Sequence, residues 1–207
     1  MKTDIVKEGK IGTRPSWDEY FMKSAIVAAS RASCFNVHSG TVIVHDKTIV
    51  ATGYNGVNGL TKNCLDKGYC HKEKKTGLPF EQTMNCGYCI GTHSEMNALA
   101  HMNRIVHQDA TLYTTVFPCN NCMKNILAAR VKRIVYKRIY DEKEMINSLE
   151  MCEEAGVIVE QLDMSPERCL DIDLNHPTVK YDVWTPNQRK LVGASLMCKL
   201  EKKRKKK

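Results

Sequence analysis

His93-Ser-Glu95 and Pro118-Cys-Asn-Asn-Cys122 are two short motifs that each stand at the start of a predicted helix. Between them the chain has room for one helix, a turn and one strand, which returns it to the same edge of a sheet. Both helix N-termini can then face one point, where their positive dipole ends favour anionic side chains. The two motifs together predict a single site built from both helix starts.

The residue types in these motifs indicate a catalytic zinc site. We predict that His93, Cys119 and Cys122 bind the metal, because imidazole and thiolate groups are preferred ligands of Zn²⁺. Three protein ligands leave the fourth tetrahedral position open for water, which the metal acidifies. Glu95 follows His93 too closely to be a convenient fourth ligand, and we predict that it is the catalytic group that moves protons. H-x-E followed by P-C-x-x-C is the signature of zinc deaminases.

Hydrophobic periodicity on either side of the motifs predicts an α/β fold. Ser16-Trp-Asp-Glu19 is a capping box that opens an amphipathic helix over about residues 16–31. A hairpin turning at Asp46-Lys47 follows that helix. The remaining predicted elements are helices at about 93–105, 119–129 and 141–155, and strands at 41–44, 48–52, 111–116, 133–136 and 157–159. This order predicts a three-layer α/β/α sandwich on a five-stranded mixed sheet.

The chain divides into one predicted domain and two flanking segments. We predict a zinc-dependent deaminase domain over residues 16–163, an N-terminal arm over 1–15 and a C-terminal extension with a basic tail over 164–207. Residues 57–92 are predicted to form a cysteine-rich insertion loop without regular secondary structure, since they show no hydrophobic period.

The net charge of +8 is concentrated at one end of the chain. Six positive charges lie in Lys202–Lys207, and without them 25 basic residues face 23 acidic ones, a balance of +2. Because affinity for a polynucleotide needs positive charge on the folded body, we expect nucleic acid to be contacted at most through this tail. No apolar run is long enough for a membrane span, and Met1–Lys10 lacks the apolar core of a secretory signal. We expect a cytoplasmic protein, or a nuclear one if the tail serves as an address.

Five stretches of the sequence resemble the deoxycytidylate (dCMP) deaminases, a family of the cytidine deaminase superfamily. They are Pro15-Ser-Trp-Asp-Glu-Tyr-Phe-Met22, Ala29-Ser-Arg-Ala-Ser-Cys34, Thr52-Gly-Tyr-Asn-Gly56, His93-Ser-Glu-Met-Asn-Ala98 and Phe117-Pro-Cys-Asn-Asn-Cys122. The resemblance implies hydrolytic conversion of dCMP to dUMP, which supplies thymidylate synthesis. It also implies a homohexamer that is activated by dCTP and inhibited by dTTP, with Mg²⁺ accompanying the triphosphate.

The same resemblance implies roles for side chains around the predicted zinc site. Asn55 is expected to hydrogen-bond the sugar of the substrate, and the backbone at Ser94 is expected to meet the base. Phe117 and Tyr140 are expected to form walls of the pocket.

The phosphate of the substrate is expected near Arg31 and Ser33, at the end of the first predicted helix. Two stretches depart from the family pattern. His93-Ser-Glu95 stands where His-Ala-Glu is usual, and His38-Ser-Gly-Thr41 stands where a basic or polar residue and Val-Gly-Ala are usual.

The loop from Gly53 to Gly59 matches the region that handles the effector in the family. Its glycine and asparagine content would allow the backbone to approach phosphates closely, and a plain turn that closes the sheet is the alternative. Arg104, on the helix that carries the predicted catalytic residues, could couple this loop to the active site. The effector-binding residues that follow from the resemblance are Gly53, Tyr54, Gly56, Asn58, Gly59 and Arg104.

A second group of metal-binding residue types surrounds the insertion. Some dCMP deaminases resemble this chain in carrying a structural zinc held by residues that match Cys34 and Cys64, and Cys86-x-x-Cys89 has the spacing of a zinc knuckle. We predict a second Zn²⁺ here, which would hold a long loop in one shape; loose reduced thiols are the alternative. The choice of four ligands stays open among six candidates, which are Cys34, Cys64, Cys70, His71, Cys86 and Cys89.

Two other functions are compatible with parts of the pattern. A polynucleotide cytidine or adenosine deaminase would share the zinc site, but the nearly neutral body and the mononucleotide-type motifs argue against it. A non-enzymatic zinc-binding interaction module would explain the cysteines but gives no reason for Glu95 beside an open metal position.

Overall fold

The central feature of the computed structural model is a mixed sheet of five strands. The structure describes residues 15–57, 59–83, 86–102 and 109–164, without the side chains of 143 and 144. The strand order is β2-β1-β3-β4-β5; β1 is antiparallel to both of its neighbours, and β3, β4 and β5 are parallel. The strands are β1 Gly40–His45, β2 Thr48–Tyr54, β3 Thr111–Val116, β4 Arg133–Arg138 and β5 Ile158–Gln161.

Helices cover both faces of this sheet. The four helices that the sequence predicts agree with the observed bounds to within a few residues. The one predicted over about 93–105 ends at His101, because Met102 has an extended backbone, and residues 103–108 lie outside the described ranges. The helices are α1 Trp17–Ala29, α2 Cys64–Lys67, α3 His71–Thr76, α4 Ser94–His101, α5 Asn120–Ala128 and α6 Glu142–Ala155, with a short 3₁₀ turn at Phe80–Gln82.

Alternation along the strands produces the two apolar layers of the predicted sandwich. On β1, Val42 and Val44 pack into the cluster formed with α1, whereas Ile43 packs into the cluster that contains α4, α5 and α6 residues. The same alternation separates Leu112 from Tyr113 on β3. Successive strand residues point to opposite faces, so each strand contributes to both cores. The predicted α/β/α sandwich on a five-stranded mixed sheet is confirmed.

Two glycines allow helices to lie unusually close to strands. A Cβ atom at Gly40 would lie 2.0 Å from the carbonyl oxygen of Ala25 in α1. A Cβ atom at Gly53 would lie 2.2 Å from the carbonyl oxygen of Ser94 and 2.4 Å from the amide nitrogen of Ala98. The second contact seats α4 directly on the end of β2, so Gly53 supports the helix that begins at the predicted site.

The insertion differs from the prediction that it lacks regular structure. Asn63 caps α2 through a reciprocal hydrogen-bond pair with Asp66, and Gly68 ends the helix in the left-handed conformation at φ 73°. Gly77 ends α3 in the same way at φ 70°. These helices are four and six residues long, so hydrophobic periodicity cannot reveal them. Asn63, Gly68 and Gly77 are of the usual capping types, whereas Cys70 at the start of α3 is not.

The end of the sheet away from the catalytic motifs is fastened by ion pairs. Arg133, at the start of β4, donates to both carboxylate oxygens of Asp18 at 2.7 and 2.9 Å and also pairs with Glu160 of β5. The hydroxyl of Tyr113 donates to Asp18 at 2.7 Å. The pKa of Asp18 is lowered chiefly by its hydrogen bond with Arg133. This cluster joins α1 to three strands.

None of the helices within the described ranges is long and apolar enough to cross a membrane.

Candidate active site

The structure brings the two motifs together at the starts of α4 and α5. His93 is the residue that precedes α4 and Cys119 is the residue that precedes α5, and both have extended backbone conformations. Neither side chain forms a capping hydrogen bond, which leaves both available to each other. The parallel strand β3 delivers the chain to Cys119, as the sequence predicts, because its C-terminal end lies at this edge of the sheet.

Three of the predicted site residues form a compact set of metal ligands. The Nδ1 atom of His93 lies 3.4 Å from the sulfur of Cys119 and 3.4 Å from the sulfur of Cys122. Across the part of the chain that the structure describes, this is the one group of three or more His, Cys, Asp or Glu residues whose ligand atoms all lie within 4.8 Å of one another. Cys122 is buried and His93 is exposed, so the group opens to solvent on the histidine side.

The chemistry of these donors fits Zn²⁺. The hydrogen bond with Cys122 is the main cause that lowers the pKa of Cys119 to about 4, and hydrogen bonding with His93 adds to it. Cys119 is consequently a thiolate at neutral pH, which is the form that binds zinc. Two thiolates and one imidazole form a ligand set of the kind found in catalytic zinc sites, with one coordination position left for water.

Glu95 lies in the first turn of α4, and only 4% of its surface is exposed. Burial is the main cause that raises the pKa of its carboxyl group above the ordinary value. Its Oε2 atom accepts a hydrogen bond of 3.0 Å from the hydroxyl of Ser94, and the backbone amide of Glu95 also donates to the carboxylate group. A buried carboxylate beside the metal ligands is suited to accept and return protons.

Asn55 lies between β2 and the loop that precedes β1. Its Oδ1 atom accepts from the amide of Ser39 at 2.7 Å, and its Nδ2 atom donates to the carbonyl of Val37 at 2.7 Å. These bonds fix the loop over residues 37–39 next to Ser94, whose hydroxyl contacts that of Ser39 at 2.7 Å. The contact of Asn55 with the sugar of the substrate stays a prediction. The side-chain NH₂ group has a second N–H that could make this contact, because only one is used in the bond to Val37.

The two predicted wall residues, Phe117 and Tyr140, lie in different surroundings. Phe117 is buried with its ring edge-on to Tyr136 at 4.9 Å. Tyr140 is 44% exposed, and burial of its hydroxyl raises its pKa to about 12, with a smaller contribution from the charge of Cys34. Arg31 is exposed, and the hydroxyl of Ser33 would meet a Cβ atom at Gly56 at 2.7 Å. Their predicted roles in substrate binding stay predictions.

The predicted effector loop is joined directly to the catalytic helix. Gly56 pairs with Thr92 through two backbone hydrogen bonds of 3.1 and 2.8 Å, immediately before His93. The side chain of Asn97 donates to the carbonyl of Tyr54 at 2.7 Å. Gly59 has open space around it, whereas Asn58 and Arg104 lie outside the described residues.

The structure also shows contacts that sequence reasoning missed. Asn120, between the two cysteine ligands, accepts hydrogen bonds from Asn147 at 3.0 Å and from Ser148 at 2.9 Å on α6. Ser39 and Thr41 contact Ser94 through their hydroxyls. The sequence does contain an indication of the contacts made by Ser39 and Thr41. These two hydroxyl residues stand just before and just after the start of β1, where apolar residues follow at 42–44.

The second cysteine group is only partly assembled. Burial is the main cause that raises the pKa of Cys34, and the charges of Cys89 and Cys64 raise it further, so these three thiols lie within electrostatic range. Cys70 instead accepts backbone hydrogen bonds from the first turn of α3. The Nδ1 atom of His71 is buried, and it has no hydrogen-bond partner among the residues that the structure describes. All eight described cysteines are free thiols.

Fold and ligand set together define a zinc-binding deaminase domain. A family model described as the cytidine and deoxycytidylate deaminase zinc-binding region matches residues 15–138. The chain belongs to the cytidine and deoxycytidylate deaminase family, and more particularly it is similar to deoxycytidylate deaminases.

Two relatives show how far the similarity extends. The deoxycytidylate deaminase of Saccharomyces cerevisiae is 37% identical over 155 residues, which are 74% of this chain and 47% of the yeast protein. The deoxycytidylate deaminase of Mycobacterium phage D29 is 35% identical over 128 residues, which are 61% of this chain and 98% of the phage protein. The chain thus spans about half the length of its yeast relatives and nearly all of the phage protein.

Solved structures agree with this assignment. The dCMP deaminase of cyanophage S-TIM5 in its apo form matches with a TM-score of 0.53 and 25% identity, over 72% of this chain and 100% of the phage chain. Its complex with dCMP and dUMP matches with a TM-score of 0.56 and 25% identity, over 72% and 99% of the two chains.

Proposed function

We propose that this protein hydrolyses dCMP to dUMP and ammonia. The observation that carries the proposal is that a phage deoxycytidylate deaminase matches over 98% of its own length, so the shared domain amounts to nearly that whole protein. A second phage deaminase of similar fold was solved with dCMP and dUMP. The intact His93, Glu95, Cys119 and Cys122 set supports the transfer of this activity.

The reaction requires one acid–base group and one metal site. His93, Cys119 and Cys122 would hold Zn²⁺, which supplies a Lewis acid and lowers the pKa of water when it is bound. The oxygen of water bonds to C4 of the pyrimidine, and the bond from C4 to the exocyclic nitrogen breaks. Glu95 accepts the two protons of the water one after the other, and it returns one to the ring nitrogen and one to the departing ammonia as the water oxygen becomes the C4 carbonyl.

We assign substrate contacts to side chains on the loops around this site. The backbone at Ser94 and the ring of Phe117 would contact the base, with Tyr140 at the outer wall. Asn55 would bind the sugar. Arg31 and Ser33 would bind the phosphate. The exposure of Arg31 just after α1, and the position of the Ser33 hydroxyl beside Gly56, support this.

The experiment that tests the proposal compares substrates. Ammonia release is measured from dCMP, deoxycytidine and single-stranded DNA at equal concentrations of reactive base. We expect kcat/KM for dCMP to exceed that for deoxycytidine by at least about 100-fold, because groups built to bind a phosphate stay unpaired when the substrate lacks one. We also expect it to exceed that for single-stranded DNA, because the chain outside the basic tail has a net charge of only +2 to attract a polynucleotide. Faster reaction on single-stranded DNA would establish a polynucleotide deaminase instead. Absence of ammonia from all three, with zinc bound, would favour a non-enzymatic zinc-binding module.

We also propose a structural Zn²⁺ between the insertion and the end of α1. Electrostatic interaction among Cys34, Cys64 and Cys89 supports it. The buried Nδ1 atom of His71, which has no hydrogen-bond partner among the described residues, supports a histidine ligand. Cys86, which shares the C-x-x-C spacing with Cys89, and Cys70 remain candidates for the same site.

Regulation by nucleotides is the finer part of the proposal. We propose that dCTP with Mg²⁺ activates and dTTP inhibits a homohexamer through the loop that contains Gly53, Tyr54, Gly56, Asn58 and Gly59, with Arg104 as a further contact. The pairing of Gly56 with Thr92 and the contact of Asn97 with Tyr54 support coupling, because both link the loop to the helix that carries Glu95. Rates measured against dCMP should be sigmoidal, become hyperbolic with dCTP and fall with dTTP; hyperbolic rates indifferent to both would contradict it.

In the cell we propose that the product dUMP supplies thymidylate synthesis and that the protein is cytoplasmic. Free thiols that must stay reduced to bind metal support a reducing compartment. Fluorescence microscopy of a tagged full-length chain tests the location, and deleting residues 202–207 tests whether the basic tail directs it to the nucleus.

A further inference from the structure

The buried hydroxyl of Ser94 is at the centre of a chain of hydrogen bonds that ends on Glu95. The Oγ atom of Ser94 donates to Oε2 of Glu95 at 3.0 Å. It also lies 2.7 Å from Oγ of Ser39 and 2.9 Å from Oγ1 of Thr41. Thr41 lies 3.1 Å from the hydroxyl of Thr114, which in turn donates to the carbonyl of Val116. Ser94, Thr41 and Thr114 have no exposed surface, so water does not replace these bonds.

The number of hydrogens fixes the direction of these bonds. A carboxylate can only accept, so the single hydrogen of the Ser94 hydroxyl is committed to Glu95. Its two lone pairs can then accept from Ser39 and from Thr41, which lie at hydrogen-bond distance. The single hydrogen of Thr41 is shared between Ser94 and Thr114, because Thr114 donates its own hydrogen to the carbonyl of Val116. Ser94 therefore cannot rotate toward another acceptor without breaking two further bonds. Bonds that run in one direction also polarise one another, which strengthens the last bond to the carboxylate.

The hydroxyls belong to elements that are fixed independently of Glu95. Ser39 lies in the loop that the side-chain amide of Asn55 holds through two hydrogen bonds of 2.7 Å. Thr41 lies in β1, between β2 and β3 at the centre of the antiparallel part of the sheet. The chain of hydroxyls thus connects the carboxylate to the rigid sheet rather than to the helix alone.

We propose that Ser39, Thr41 and Ser94 act as positioning residues that hold the Oε2 atom of Glu95 and leave the Oε1 atom to carry the transferred proton. This inference rests on the proposed deaminase function. The carboxylate must keep one orientation while it moves protons from the water oxygen to the ring nitrogen and to the exocyclic nitrogen. A hydrogen-bond donor that is fixed on one carboxylate oxygen holds that orientation. None of the three hydroxyls needs to contact the substrate.

The test separates positioning of Glu95 from stability of the fold. In Ser94→Ala the hydroxyl of Ser39 loses its acceptor and that of Thr41 keeps only Thr114, so we expect a lower unfolding midpoint and about tenfold lower kcat, with KM changed by less than about twofold. In the triple variant Ser39→Ala, Thr41→Val and Ser94→Ala, all partners are removed together, which can be nearly neutral for stability. We expect its unfolding midpoint to return toward the wild-type value while kcat stays about tenfold low.

A matched control is Thr83→Val, which removes another fully buried hydroxyl whose hydrogen bond goes to the carbonyl of Phe80 at 2.7 Å. It should lower the unfolding midpoint and leave kcat unchanged. Recovery of kcat together with stability in the triple variant, or an unchanged kcat in Ser94→Ala, would overturn the positioning role. A wild-type protein that binds zinc but does not act on dCMP would instead contradict the proposed function, so the two failures are distinguishable.

Discussion

At the scale of single residues, the pKa values of Cys119 and Glu95 are shifted in opposite directions, and the two shifts have different physical causes. Hydrogen bonds from Cys122 and His93 lower the pKa of Cys119 to about 4. Burial raises the pKa of Glu95. The first shift prepares a thiolate for metal binding, and the second brings a carboxyl group toward the range in which it can both accept and return a proton.

The metal count is a prediction at this scale. Reduced protein washed with a weak chelator should contain about two zinc ions per chain. His71→Ala should lower the count to about one and lower the melting temperature, because a ligand of the structural ion is removed. Elemental analysis and thermal unfolding measure both.

Cys119→Ser is the matched variant at the catalytic site. It should also lower the zinc count to about one, but it should abolish turnover with a smaller change in melting temperature. About one zinc ion in the wild-type protein would contradict the structural site, and an unchanged count in His71→Ala would remove that residue from its ligands.

The sequence predicted the residues of the catalytic site, but it did not predict the side chains that position them. His93, Glu95, Cys119 and Cys122 follow from spacing because helix starts and strand ends determine where they meet. The contact of Ser39 with Ser94 joins residues 55 positions apart, and nothing local specifies it. The same reason leaves the second ligand set unresolved, since its candidates come from separate loops.

At the scale of elements, the hairpin between β1 and β2 stores a backbone strain. Asp46 and Lys47 have φ values of 45° and 57°, the left-handed region that the tight turn requires. Neither is glycine, so the side chains carry a conformational cost. The predicted turn at these two residues is confirmed. Lys47 occupies a position where glycine is the favoured residue.

Replacing Lys47 with glycine should relieve this strain. Lys47→Ala is the matched control, because both variants remove the interaction of Lys47 with the ring of Trp17 at 5.5 Å. We expect Lys47→Gly to be more stable than Lys47→Ala by about 1 kcal/mol in urea unfolding, because alanine retains the cost of a positive φ. Equal stabilities would show that the turn relaxes without cost.

Elements with clear hydrophobic periodicity were predicted closely, whereas the short helices of the insertion were missed, including α2, which has a complete capping box. Ser16 and Glu19 form the predicted capping box at the start of α1, with both hydrogen bonds present. In the insertion, α2 and α3 have no buried apolar stripe, and their boundaries depend on Asn63, Gly68 and Gly77. Local capping chemistry alone predicts such helices, and hydrophobic pattern does not.

At the scale of the whole molecule, the sheet separates a structural end from a catalytic end. The ion pairs of Arg133 fasten the start of β4, whereas the metal ligands lie where β3 leads into α5. The three layers, the mixed sheet and the pairing of the hairpin strands followed from the sequence of elements. The strand order β2-β1-β3-β4-β5 did not, because the pairing of β1 with β3 joins strands that are far apart along the chain. This separation matters for function, because the loops at the catalytic end can differ in sequence without disturbing the ion pairs of Arg133.

The most direct test of the central claim is the turnover of dCMP by zinc-loaded wild-type protein and by Glu95→Gln. The wild-type protein should form dUMP and ammonia in equal amounts. Glu95→Gln should retain the same zinc content and unfolding midpoint but reduce turnover by about 100-fold or more, because it removes the proton-transfer group and no ligand. Absence of dUMP from the wild-type reaction, or a variant that keeps more than about a tenth of the wild-type rate, would contradict the account.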